Sequence, residues 1–214
     1  MLALTRYQLA VLGHSQRYLP PTLVYLASVG IVFNHGSAPV VPEFAVTAGA
    51  LCAVACWLTV ALVDAEDPIQ RLVTKSHTRR RGAVPLAVAC SVLICCAALT
   101  TAVVLWVLWR RESVEAGSLG FGVLAQSACS CLGVAIGLAC SRLLVPRIGY
   151  SVLIAVFALL AVLFVRPIPL VNPMLRAMGS NENLSTAVPL GAAASALALA
   201  LTILLVTAVS ARRS

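Results

Sequence analysis

Charge is the feature in which this sequence is poorest. Only 10% of its 214 residues are charged and 61% are hydrophobic, whereas a soluble domain carries roughly 25% charged residues. So little charge cannot cover the surface of a globular protein of this size, which excludes a soluble enzyme. The composition predicts an integral membrane protein with most of its length in lipid.

The apolar residues are grouped into six runs that approach the roughly 20 residues needed for a membrane-spanning helix. We predict spans at residues 20–34, 41–63, 83–109, 119–144, 148–165 and 186–210. The first run is short and draws on residues to either side. Because backbone groups in lipid must pair within their own segment, the runs predict helices. The predicted fold is an all-α membrane protein with a six-helix transmembrane domain over residues 20–210.

Ionisable side chains are nearly absent from the predicted spans. Glu43 lies near the outer start of the second span and Asp64 at its inner end; elsewhere we expect only apolar, small or hydroxyl-bearing side chains. Intramembrane ionisable groups mark proton paths and catalytic centres, so neither a proton-coupled transporter nor an intramembrane protease can be assembled here. The end of a Walker motif is also missing. We therefore expect no catalytic residue, metal or cofactor on this chain.

The basic residues predict the topology. If the N-terminus is inside, eleven of the fifteen lie in inner segments, the asymmetry that the positive-inside rule describes. Both termini are then cytoplasmic, including the tail at residues 211–214. The net charge of +8 therefore indicates orientation and contact with anionic membrane lipid, and we expect no nucleic-acid partner. The four outer basic residues are Arg110, Arg111, Arg166 and Arg176.

All eight cysteines fall within the predicted spans. A metal site would need histidine or carboxylate nearby, whereas His14, His35 and His77 lie outside the spans. We expect the cysteines to pack as small apolar residues, and metal binding or a disulfide is the alternative.

Residues 64–82, between the second and third spans, form the most polar segment. Asp67 is a favoured N-cap and Pro68 a favoured first helical residue. Ile69, Leu72 and Val73 then follow at helical spacing. Acids precede this helix and cations follow it, as the helix dipole favours. We predict a short cytoplasmic helix that docks on a soluble partner; the alternative is a solvated loop with ordinary positive-inside charge.

The residue pattern of the N-terminal segment, residues 1–19, predicts an amphipathic helix in the inner membrane interface. The double proline that follows it breaks the chain before the first span. A plain membrane-surface anchor needs the same helix and remains an alternative. The predicted faces are an apolar one with Leu4, Tyr7, Val11 and Tyr18 and a basic one with Arg6 and Arg17.

Together these features resemble the permease subunits of ATP-binding-cassette (ABC) exporters of the second class, the type V fold. The sequence looks most like the compact actinobacterial members. The resemblance is carried by "YQLAVLGHSQRYLPPTLVYL" and "WLTVALVDAEDPIQRLVT", and its topological part covers nearly the whole chain. The motifs do not name a substrate.

The resemblance implies roles for both cytoplasmic segments. In that family the N-terminal segment is a connecting helix on the cytoplasmic leaflet, and the helix between the second and third spans is a coupling helix that docks on the ATPase. Here the first role falls on Arg6, Tyr7, Val11, Arg17 and Tyr18. The second falls on Asp64, Glu66, Asp67, Pro68, Gln70 and Arg71.

The resemblance also implies an assembly in a bacterial cytoplasmic membrane. Two copies of an ABC ATPase would bind ATP and Mg²⁺, and a second six-helix permease subunit, identical or homologous, would complete the path. The family has a partly re-entrant element between the fifth and sixth spans, which corresponds here to the proline-rich residues 166–185. The short outer loops argue against members with large external domains.

The function implied is export by alternating access, driven by the separate ATPase. The charge-poor spans favour a hydrophobic or amphipathic substrate such as a lipid, a lipophilic drug or a modified peptide. A non-transporting membrane anchor or signal-transmitting scaffold with the same docking helix is the alternative. A membrane enzyme ranks third.

The predicted cap of the docking helix is testable. Asp67→Ala removes a cap that contributes about 1 kcal/mol to helix stability, so we expect weaker binding of the ATPase partner, measured by co-purification and ATP turnover. Unchanged binding and turnover would contradict the docking-helix prediction.

Overall fold

The computed structural model describes residues 2–34, 39–65, 83–111, 114–141, 148–164, 171–181 and 183–212, and this part of the chain is helical without a strand. The all-α prediction is confirmed for these residues. Eight helices are present there: α1 Leu2–Ser15, α2 Leu19–Val32, α3 Val40–Ala65, α4 Ala83–Arg110, α5 Ala116–Cys140, α6 Ile148–Phe164, α7 Asn172–Ser180 and α8 Leu184–Arg212.

Four of the described helices, α3, α4, α5 and α8, are long and apolar enough to cross a membrane. Helices α2 and α6 are apolar but have only 14 and 17 residues. At 1.5 Å per residue α2 reaches about 21 Å, which is less than the roughly 30 Å hydrocarbon core. The long helices fit a multi-pass membrane protein, whereas the count of six spans remains a prediction.

The bundle is built around the contact between α3 and α5. A Cβ atom at Gly133 would overlap the carbonyl oxygen of Cys52 and lie 2.8 Å from Ala55 Cβ. One turn later, a Cβ at Gly137 would lie 2.6 Å from Thr59 Cβ. Small residues at a spacing of four allow this close backbone approach. The G-x-x-x-G pattern of "GVAIG" therefore serves packing within the chain.

Towards the first residues of α3, the same two helices enclose an aromatic side chain. The Phe44 ring occupies the space over Gly122, where a Cβ would lie 2.6 Å from ring carbon atoms. Phe33 at the end of α2 packs edge-on against Phe44, with ring centroids 5.6 Å apart. These contacts hold α2, α3 and α5 together at one end of the bundle.

A short helix, α7, occupies part of the stretch predicted to be re-entrant. Pro173 lies in its first turn, and Asn181 ends it with a left-handed φ of 59°, a conformation that asparagine tolerates. Met174 and Met178 are buried, and α7 packs against α3 and α8. The re-entrant placement of this segment in a membrane remains a prediction.

The first helix differs from the predicted one in length and in the face that is buried. It ends at Ser15, so the predicted helix over residues 1–19 is too long, and Arg17 lies in the turn after it. Gln8 and Leu12 are its buried residues, whereas Tyr7 is exposed. The helix packs against α4 and α3. Its location at the inner membrane interface remains a prediction.

The α3–α5 contact predicts different effects for two glycines of α5. Gly133→Ala forces apart backbones that cannot yield locally, so we expect the free energy of unfolding to fall by about 1–3 kcal/mol. Gly120→Ala is the matched control, since no atom lies within 4 Å of a Cβ there, and we expect no loss. Unfolding in mixed detergent micelles, followed by tryptophan fluorescence, measures both. Equal stabilities would contradict this packing.

Candidate functional site

A groove with a volume of about 460 Å³ runs between α3 and α6. The α3 side is Ala53, Cys56, Trp57, Val60, Ala61 and Asp64, and the α6 side is Val152, Ala155, Val156 and Leu159. Each set recurs at helical spacing and therefore marks one face of its helix. The volume lies within the range of small-molecule sites, and the walls are almost entirely hydrocarbon.

The orientation of both helices follows from contacts on their other sides. The face of α3 that includes Cys52, Ala55 and Thr59 packs on α5, which turns the face with Trp57 outward, where this side chain is 56% exposed. Ser151, which is buried, donates a hydrogen bond to the Cys140 carbonyl oxygen at the end of α5. The groove is thus a gap between two helices that are both fastened to α5.

Two opposite charges line the groove, whose Asp64 end is predicted to be the inner one. Arg17 comes from the turn between α1 and α2, and Asp64 comes from the last turn of α3. Asp64 belongs to the predicted docking residues and Arg17 to the predicted interfacial helix, so the structure brings one residue of each set to a single site. The other predicted docking residues lie outside the described part of the chain: Glu66, Asp67, Pro68, Gln70 and Arg71.

The other predicted residues of the N-terminal segment are not part of this groove. Arg6 and Tyr7 are exposed on α1, and Val11 is half-buried. Tyr18 is also half-buried and lines a second, smaller groove with Thr22.

An ion pair that the sequence interpretation missed joins α3 and α4 at the end of the bundle that is predicted to be outer. Arg111, just after α4, donates to a Glu43 carboxylate oxygen at 2.7 Å, and the two side chains are 14% and 7% exposed. Next to it, Arg110 donates to the Asn34 side-chain oxygen at 3.2 Å. An acid at the start of α3 and cations at the end of α4 also suit the two helix dipoles. Consecutive spans run antiparallel, so the start of α3 and the end of α4 lie at the same end of the bundle. That argument could have predicted the ion pair from the sequence.

A buried amide contradicts the expectation that side chains within the spans are only apolar, small or hydroxyl-bearing. Gln126 is fully buried in α5. Its Nε2 donates to the Thr47 hydroxyl at 3.4 Å, and the Tyr25 hydroxyl donates to its Oε1 at 3.5 Å. The search for ionisable groups passed over this residue, although it is the one amide in the four long helices.

The cysteines contribute to packing. None of the eight forms a disulfide, and five are buried. Cys52 and Cys56 contribute their backbone carbonyl oxygens to the contact with the two glycines of α5. Among the described residues, no group of three or more histidine, cysteine or acidic side chains could hold a metal ion.

The groups that line the groove are suited to binding a ligand. Its polar side-chain groups are the Arg17 guanidinium, the Asp64 carboxylate, the Cys56 thiol and the Trp57 indole N–H, and the other side chains that line it are hydrocarbon. Comparison of the chain with protein-family models, curated proteins and solved structures finds no match. Any functional conclusion therefore depends on the geometry of this chain.

The outer ion pair predicts a large effect of a small change. Glu43→Gln removes the negative charge that lies 2.7 Å from the Arg111 guanidinium in a largely buried contact, so we expect the free energy of unfolding to fall by about 3 kcal/mol. Glu115→Gln, at an exposed residue, is the control and should change it by less than about 0.5 kcal/mol.

A double variant separates the ion pair from other consequences. Glu43→Gln combined with Arg111→Met removes the uncompensated charge, so it should recover most of the lost stability. Detergent unfolding of the parent protein, Glu43→Gln, Arg111→Met and the double variant completes a double-mutant cycle. Additive losses would show that the two side chains do not stabilise each other.

Proposed function

We propose that the protein is the transmembrane permease subunit of an ABC exporter and moves a hydrophobic or amphipathic substrate across the bacterial cytoplasmic membrane. The observation that carries the proposal is the groove on α3. One helix provides a wall of an apolar groove and, at its end, the first residue of the predicted docking segment, Asp64. Movement of that segment would therefore act directly on the groove.

The lining of the groove supports the class of substrate. Binding a strongly polar molecule against hydrocarbon walls would leave its polar groups without hydrogen-bond partners, at a cost of roughly 1–3 kcal/mol each. An amphiphile avoids this cost, because its apolar part contacts the walls and its polar part meets Arg17 and Asp64 at the inner end.

The packing of α3 supports a mechanism of coupling. Because α3 and α5 touch through their backbones at Gly133 and Gly137, a push on α3 moves both helices as one body. Helix α6 contacts this pair less extensively, so relative motion is easiest at the α3–α6 gap. In the proposed cycle, closure of two ATPase subunits around ATP and Mg²⁺ shifts α3 and reshapes the groove.

The experiment is co-purification from mild detergent of the tagged protein, with identification of its partners and an assay of ATP hydrolysis. We expect a stoichiometric ABC ATPase that is lost when residues 64–71 are replaced. The matched control, Glu115→Ala, changes an exposed acid before α5 and should retain the ATPase. Recovery of the protein without any ATPase would overturn the proposal and favour a non-transporting anchor or scaffold.

A second measurement tests the substrate class. In the reconstituted complex, amphiphiles should stimulate ATP turnover, whereas a polar glycan or a metal ion should not. The opposite pattern would contradict an apolar path.

A further inference from the structure

The groove between α3 and α6 has the length of one membrane leaflet. It extends along α3 from Ala53 to Asp64, and eleven residues of helix correspond to about 16 Å. Half of the hydrocarbon core of a bilayer is about 15 Å. A ligand with its polar group at Asp64 would therefore place a single extended chain along the whole groove.

The groove is also open towards lipid. Trp57, Val152 and Val156 are 56%, 42% and 47% exposed, and all three line it. A ligand can thus enter sideways from the bilayer and keep part of its apolar surface in contact with neighbouring lipid. This geometry suits a membrane lipid better than a compact molecule that must be enclosed on every side.

The two charges at the inner end select the head group. A guanidinium pairs well with phosphate, so Arg17 suits the phosphodiester of a phospholipid. Asp64 lies in the last turn of α3, where the helix dipole disfavours a carboxylate and a nearby cation is favourable. A carboxylate has about four lone-pair sites, so it can accept from a head-group ammonium while it keeps contacts within the protein.

We propose that the groove binds a phospholipid of the ethanolamine type, with its phosphate on Arg17, its ammonium on Asp64 and one acyl chain between α3 and α6. A glycerol head group has no ammonium to donate to Asp64, and its phosphodiester brings a negative charge close to that carboxylate. A choline head group carries the positive charge but has no N–H to donate. This assignment deepens the proposed function and rests on it for transport, whereas binding itself is a property of this chain.

The test uses Trp57 as a reporter. The double change Trp106→Phe and Trp109→Phe leaves Trp57 as the single tryptophan. In nanodiscs containing increasing fractions of brominated phosphatidylethanolamine, phosphatidylcholine or phosphatidylglycerol, bromine quenches its fluorescence on contact. We expect half-maximal quenching by the ethanolamine lipid at an about threefold lower mole fraction than by the others, as one additional ion pair at a solvent-accessible site would provide.

Variants of the two charged residues separate the contributions. Asp64→Asn should abolish the preference for ethanolamine over choline, and Arg17→Gln should weaken binding of all three lipids. The controls Glu115→Gln and Arg176→Gln change exposed charges outside the groove and should leave the curves unchanged. Equal quenching by the three lipids in the parent protein, or a preference that survives Asp64→Asn, would overturn the proposal.

A second measurement tests the same lipid preference in the protein without substitutions. Native mass spectrometry of the unmodified protein, after incubation with an equimolar mixture of the three lipids, should show preferential retention of the ethanolamine lipid; equal retention contradicts the assignment.

Neither of the two lipid-binding experiments contains an ATPase. A lipid preference with no co-purifying ATPase would keep this inference and reject the proposed function, and an ATPase with no lipid preference would do the reverse.

Discussion

Helices α3 and α5 lie so close that only hydrogen fits at Gly133 and Gly137 between their backbones. This contact determines the rotation of α3 about its own axis. With Cys52, Ala55 and Thr59 turned towards α5, an adjoining face of the same helix is left to form the groove wall. Because there is little hydrophobic driving force between helices in lipid, such close packing is a main source of specificity. The position of the groove wall therefore depends on Gly133 and Gly137, although neither glycine lines the groove.

The ends of α3 have different electrostatic surroundings. At its first residues, the predicted outer end, Glu43 is paired with Arg111 in a largely buried contact, and α2 is joined to α4 through Asn34 and Arg110. At its last residues, the predicted inner end, Asp64 and Arg17 line a groove that is open at the side. Charges in an apolar medium need compensation. In the proposed permease, the paired charges would close the outer end, and those at the groove would receive the polar part of the ligand.

The buried amide lies between the aromatic packing and the glycine contact of α5. Gln126 bonds α5 to α2 and α3 through Tyr25 and Thr47, between the aromatic packing near Phe44 and the glycine contact further along α5. Polar side chains inside a bundle specify which helices are neighbours, because an incorrect arrangement would leave them without partners. The central part of the bundle is therefore defined by shape at the glycines and by hydrogen bonds at Gln126.

The sequence by itself determined the membrane class, the helical fold, most helix positions and the small-residue pattern in α5, because these follow from composition and from local periodicity. It also predicted a docking role for Asp64 and an interfacial role for Arg17, in two separate segments, and both roles remain predictions. Only the tertiary structure decided that these two side chains line one groove, that Glu43 meets Arg111, and that Gln126 lies between α2 and α3. Such contacts join residues that are 47 or more positions apart, and periodicity within one helix carries no information about which face of another helix it will meet.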